Sequence, residues 1–298
     1  MQRKTIRRVV EKKMNDWLLT ITDKSLREEV KDNILVSGGC IASMFLNEPV
    51  NDYDVYIQNI DTLKKLTLYY TSEFNLEVLD GRDKAKLLKE EEYKDNMRKN
   101  AILSLTDSQI KINVGGGFKV PAIVSASEGN VVRAYKPLFF SPNAISLSDD
   151  LQIVCRFHGN AEQIHKTFDF VHATNYFTFE EGLVTNIEAV ESLLTKQLRY
   201  QGSLYPLTSI IRMKKFTGRG WRISAGEMLK SMFQISQLDL TDPVVLDDQL
   251  IGVDVAYFSA LIAIIKGKQE KDSNFTVTSE YLNRMIDKVF NDQVDESE

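Results

Sequence analysis

The period of the apolar positions changes twice along the chain. Between residues 3 and 21, Ile6, Val9, Val10, Trp17, Leu18 and Ile21 recur at helical spacing with Arg and Lys between them, which predicts an amphipathic helix with a basic wet side. SLREEVKDN predicts a second short helix, ILV at 34–36 a buried strand, and CIASMFLN a short apolar helix. DYDVYIQN alternates and is rich in β-formers, so it predicts a strand. Residues 61–73 return to helical spacing, NLEVLD reads as a strand, and the densely charged segment 82–99 reads as a solvated helix. From 100 to 173 the chain breaks into short β segments: NAILSL, QIKINV, FKVPAIV, NAISL, LQIVCRF and TFDFVHA, with TDS, GGG and SDD as turns. NAILSLTDSQIKI and NAISLSDDLQIV read as two similar hairpins.

Beyond about residue 175 helical spacing returns in NIEAVESLLTKQL, PLTSIIRMKKF, AGEMLKSMFQIS, VAYFSALIAIIKG and SEYLNRMIDKVF, and the acidic NDQVDESE reads as a frayed end. The expected architecture is α/β (α+β): a mixed-sheet domain over residues 1–178, then a helical domain over 179–298.

Composition narrows this only slightly. At 43% hydrophobic and 27% charged, the chain can build a sizeable core. It has no apolar run long enough for a membrane span, and its basic start is followed by no apolar block and cleavage site. Cys40 and Cys155 are the only cysteines, far apart in sequence, which fits a reducing compartment and argues against a disulfide framework or a Cys-based zinc site. The expected location is the cytoplasm.

The candidate chemistry lies in SGGCIASMFLNEPVNDYDVYI, residues 37–57. Glycines at a helix entry let the backbone approach a phosphate, whose charge the positive helix end favours. Asp52 and Asp54 are one residue apart on an expected strand, so they share a face. Paired carboxylates repel unless a cation sits between them. Mg²⁺ (or Mn²⁺) prefers oxygen ligands and shares them with substrate phosphates. A phosphate cradle beside a carboxylate pair is a workable site for metal-assisted phosphoryl or nucleotidyl transfer.

This stretch resembles the polymerase-β-type nucleotidyltransferases, most closely the branch of CCA-adding enzymes and poly(A) polymerases. That branch reads Gly-Gly, an apolar helix, a Pro-containing turn, then Asp-x-Asp; Gly38, Gly39, Leu46, Pro49, Asp52 and Asp54 fall at matching offsets. Ala42 and Ser43 stand where the branch usually has an Arg-Asp pair, and its Arg-Arg-Asp and Glu-Asp-x-x-Arg segments are absent. The span 143–254 also resembles an uncharacterised family carried by tailed bacteriophages, which implies a host-cytoplasm setting.

The superfamily resemblance implies a third acid on a later strand. Asp169, inside the aromatic run KTFDFVHA, is the candidate, with Asp149 and Asp150 as rivals in a turn. On a strand, Thr167, Asp169 and Val171 would share one face, and Phe168, Phe170 and His172 the other. His158, His165 and His172 lie close in sequence, but their separations do not suit a shared metal. Residues 196–222 carry seven Lys or Arg and no acid, interleaved with Tyr200, Tyr205, Phe216 and Trp221. Cations with flat rings suit a triphosphate, a nucleobase or a single-stranded polynucleotide.

The sequence reading is a nucleotidyltransferase moving an NMP from an NTP to an acceptor hydroxyl, with an RNA (tRNA-like) 3′ end as first acceptor. A host protein or small molecule is the alternative acceptor, and an inactive binding module the non-enzyme reading. Asp52, Asp54 and Asp169 would hold the metal and carry the reaction. Gly38, Gly39, Ser43, Arg199, Arg212 and Lys215 would hold the nucleotide.

Overall fold

The computed structural model describes residues 1–71, 135–141 and 143–240, the short stretches 78–80, 102–105, 110–113 and 118–119, residues 277–291, and scattered positions between 242 and 275. The charged segment 82–99, most of VAYFSALIAIIKG and the last seven residues lie outside the described residues. The chain divides into two compact units: Met1–Lys166 with Val171–Thr195, and Thr167–Phe170 with Lys196–Glu298. The junction expected near 178 therefore falls inside the first unit.

The first unit opens with helices α1 (Arg3–Leu18) and α2 (Lys24–Asn33), the second capped by Asp23, whose carboxylate accepts from the Ser25 and Leu26 amides. Strand β1 (Ile34–Ser37) leads into helix α3 (Gly39–Leu46), which stops at Asn47 in the left-handed region, φ 56°. Strand β2 (Tyr53–Ile57) and helix α4 (Ile60–Thr71) follow. A three-stranded sheet comprises β3 (Val78–Asp80), β4 (Ile102–Leu105) and β5 (Ile110–Asn113).

The remaining strands of this unit are β6 (Phe118–Lys119), β7 (Pro137–Phe140), β8 (Ala144–Leu147), β9 (Leu151–His158), β10 (Tyr176–Thr178) and β11 (Gly182–Val184). With β1 and β2 they form an eight-stranded mixed sheet in the order β11-β10-β1-β2-β9-β8-β7-β6. Only the β2–β9 pair is parallel. The β8–β9 hairpin turns through Asp149 and Asp150, both at positive φ. That backbone suits a tight hairpin, and Asp tolerates it better than most residues.

The core of this unit is the apolar stripe of α1 (Ile6, Val10, Met14, Trp17) packed with Val36, Val55, Ile57, Ile153 and Phe177, all buried. Alternation along β9 sends Leu151, Ile153 and Cys155 inward. Two elements depart from the sequence expectation. HGNAEQIHK, expected as a plain connection, contains helix α5 (Ala161–His165), closed by a capping box between Asn160 and Gln163. TFDFVHA is not a strand: Asp169 sits in a bend, Phe170 makes one isolated bridge to Tyr200, and Val171–Ala173 form a 3₁₀ turn. Its alternating pattern comes from separate tertiary partners rather than a ladder. Val171 and His172 are both buried, although adjacent strand residues would face opposite ways.

Helix α6 (Ile187–Thr195) ends the first unit. In the second, β12 (Gln197–Leu198) pairs in parallel with β13 (Arg222–Ile223). Helices α7 (Pro206–Gly218), α8 (Ala225–Ile235) and α9 (Ser279–Asn291) complete its described elements. Pro206 opens α7, where its missing N–H costs nothing. No helix among the described residues is long and apolar enough to cross a membrane.

Candidate active site

In the first unit, β1 delivers the chain to Gly38, whose φ of +92° and ψ of −148° lie in territory that essentially only glycine occupies. Its amide donates to the Ala173 carbonyl (3.1 Å), so this N–H is spent on the fold and is not a phosphate donor. A Cβ at Gly38 would sit 3.3 Å from Oδ2 of Asp54. The glycine turn and the β2 carboxylate are therefore in close contact. Gly39, the first residue of α3, is exposed, and a Cβ there would meet nothing within 4 Å. Ser43 lies one turn further along the helix and is half-buried. Gly39 and Ser43 thus share an open side of α3 near its positive end.

Register explains why Asp54 comes here. Val36 pairs with Val55 across β1–β2, so Asp54 lies one position beyond, beside Ser37. On its other side it pairs with Gln152 of β9. Asp54 is half-buried and Asp52 exposed. The charge of both reaches the first turn of α3: the Cys40 thiol is pushed far up, first by burial and then by Asp54, with a smaller part from Asp52. That thiol stays protonated and unreactive. Two carboxylates with hard oxygens fit Mg²⁺ or Mn²⁺, which complete their coordination with water and substrate oxygens. Among the described residues, no group of three or more His, Cys, Asp or Glu side chains is placed to hold a metal ion.

Ser37, fully buried, fixes the strand end. Its hydroxyl lies 2.9 Å from the Asn175 carbonyl and 2.9 Å from His165 Nε2. The single hydroxyl proton goes to the carbonyl, so the serine oxygen accepts from Nε2–H of a neutral imidazole. Burial pushes His165 down to about 4, and its ring meets Tyr176 edge-on at 5.7 Å. Sequence reading missed this contact because its partners are 128 residues apart and no spacing signals it. It also missed Lys13, whose ammonium lies 5.1 Å from the Tyr53 ring and 5.3 Å from the Tyr135 ring while bonding the Asp149 carbonyl. Asp149 and Asp150 form the hairpin turn, and the Asp150 carbonyl accepts from the Tyr53 amide at 2.7 Å.

Asp169 belongs to the second unit, where its carboxylate accepts from the Arg212 guanidinium at 2.8 Å. The two side chains are 10% and 28% exposed, which makes this an inward-facing ion pair. Its backbone carbonyl accepts from the Gln201 amide. Arg199 is half-buried beside Tyr200, and Lys215 is exposed one turn beyond Arg212. The aromatics of the basic stretch face the core: Tyr200, Tyr205 and Trp221 are buried, and Phe170, Tyr200, Phe216 and Trp221 pack at centroid distances of 5.4–6.0 Å. Base stacking on those buried rings, one ground for expecting a polynucleotide, therefore has no surface to act on. Lys214, Lys215 and Arg219 are exposed.

The first unit thus joins a mixed sheet to a Gly-Gly turn pressed against an Asp-x-Asp strand. The chain is similar in structure to the Thermotoga maritima CCA-adding enzyme complexed with tRNA: 12% identity, 90% of this chain and 57% of that one, TM-score 0.39. It is also similar to the Bacillus stearothermophilus CCA-adding enzyme in complex with CTP: 9% identity, 85% and 51% coverage, TM-score 0.39. The likeness is one of fold. The chain belongs to the Gabija anti-defense 2 family, which it matches over residues 8–196. It is 21% identical over 276 residues to Gabija anti-defense 2 of Bacillus phage SPbetaL7, covering 92% of this chain. The chain spans about half the length of that relative, 52%.

Proposed function

We propose that the protein is a metal-dependent nucleotidyltransferase used in counter-defence, moving an NMP from an NTP to an acceptor hydroxyl on a component of the Gabija defence. The observation that carries this is the contact between the Gly38 turn and the Asp54 carboxylate, with Gly39 next to it exposed and open. Asp52 and Asp54 would hold Mg²⁺ or Mn²⁺, and the bound ion would supply positive charge to the phosphates. Gly39 and Ser43 offer the open side of α3 to phosphate oxygens. Gly38 contributes close approach rather than a donor. In the transfer, the acceptor oxygen bonds to the α-phosphorus as the bond to pyrophosphate breaks, and the hydroxyl proton passes to water. Asp169 is left out of this site, because its carboxylate is committed to Arg212.

Family membership favours a protein hydroxyl as acceptor. An RNA 3′ end is the second reading, supported by the exposed Lys214, Lys215 and Arg219. The setting is the host cytoplasm. The test is incubation with each NTP radiolabelled at the α-phosphate, Mg²⁺ or Mn²⁺, total bacterial RNA and purified Gabija proteins, beside Asp52→Asn/Asp54→Asn. Label in protein or RNA that is lost in the variant supports transfer and names the acceptor class. Nucleotide binding without any transfer favours an inactive binding module, the reading that the lack of a third metal ligand among the described residues supports.

A further inference from the structure

Helix α8 is amphipathic the wrong way round. Its inward side is polar. Glu227 accepts from the Tyr200 amide at 2.7 Å, Ser231 is fully buried, and Gln234 bonds both the Tyr200 hydroxyl (2.6 Å) and the Ser203 amide (3.1 Å). Its outward side carries Met228, Leu229, Met232 and Phe233, which are 40%, 51%, 56% and 69% exposed. On a helix these four fall within one arc, and Ala225 and Ser236 are the other residues in that arc, so it holds no charge. Burying such a face is what an amphipathic helix normally achieves on folding. A contiguous apolar ridge turned to water marks an interaction surface.

We infer that this ridge is a docking element that inserts into a protein groove with an apolar floor and an acidic rim, on a component of the Gabija defence. Three observations select that occupant. The ridge is one convex helix face of four large side chains. It suits the mode in which a helix lays i, i+3 and i+4 anchors into a groove. The ridge also offers no cation and no hydrogen-bond donor among its large side chains, which disfavours a nucleic acid. Finally, Lys214, Lys215 and Arg219 are exposed just before α8, and residues 196–222 contain no Asp or Glu. A partner that meets the ridge and this stretch together needs carboxylates at its rim.

The inference rests on the counter-defence reading for its choice of partner, but not on transfer. The test immobilises the full chain and measures binding of purified Gabija proteins by interferometry. The wild type should bind. Met232→Glu/Phe233→Glu should weaken binding at least tenfold while keeping the far-ultraviolet dichroism and melting temperature of the wild type. Lys214→Glu/Arg219→Glu should slow association and flatten its salt dependence. Asp52→Asn/Asp54→Asn should bind as the wild type does, so loss of transfer alone would leave the inference standing. If the ridge variant unfolds, Met232→Ser/Phe233→Ser serves in its place. The inference is overturned if the wild type does not bind, or if the ridge variant binds equally well. It is also overturned if the ridge instead governs self-association in sedimentation or retention of RNA.

Discussion

Gly38 stands against Asp54 so closely that a methyl group on the glycine would lie 3.3 Å from the carboxylate oxygen. Gly38→Ala therefore meets two penalties. Its φ of +92° is strained for any L-residue, at about 1–3 kcal/mol, and the new methyl presses on Asp54. Chemical denaturation should show a loss in that range. The Mg²⁺- and NTP-dependent rise in melting temperature expected of the wild type should disappear in the variant.

The Asp169–Arg212 pair predicts a stability effect rather than a catalytic one. Arg212→Met leaves a largely buried carboxylate without its partner and should cost about 3 kcal/mol. Asp169→Asn should cost less, because the amide can still bond the guanidinium. A double-mutant cycle should give a coupling above about 1 kcal/mol. A metal-binding role would instead appear as loss of Mg²⁺ affinity with stability unchanged.

His165 predicts a pH effect with a definite sign. Its folded value is pushed down to about 4 by burial, from an ordinary 6.5. Between these values the unfolded chain binds the extra proton, so stability rises with pH across the window. The contribution is fully present above about 6.5 and is lost as pH falls toward 4. Denaturation of His165→Gln should show a shallower fall from pH 6.5 to 4 than the wild type, with the two curves running parallel above pH 7.

The aromatic cluster of the second unit gives a fourth outcome. In a Trp17→Phe background, emission from buried Trp221 should not change when single-stranded oligonucleotides are added. Phe170→Ala, which removes a ring touching Tyr200 and Phe216, should destabilise by about 3–4 kcal/mol.

Local order was readable where a local cause produced it. The α1 stripe, the β2 alternation, the SDD hairpin turn and the Gly-Gly entry to α3 each follow from spacing or from a residue's own backbone preference. The misses share another cause. TFDFVHA looked like a strand because alternating bulky residues carry no mark of the partner that buries them; Phe170 goes to Tyr200 and Phe216, and Asp169 to Arg212. Tyr200, Tyr205 and Trp221 resembled stacking platforms because composition gives chemistry without direction. Ser37–His165 joins residues whose meeting only the finished sheet creates. At the candidate site, the elements at 37–57 were legible as a unit, while the third acid depended on a contact that sequence does not report.

The place of β1 has a consequence for synthesis. One edge of Ile34–Ser37 pairs with β2, which begins 16 residues after β1 ends, but the other waits for β10, and Ser37 meets the Asn175 carbonyl 138 residues further along. At roughly 5–20 residues per second on the ribosome, an apolar strand edge stays open for on the order of ten seconds in every new molecule. That interval is a point of exposure: a nascent chain whose sheet can be mispaired, or held by a chaperone, before its glycine turn has closed.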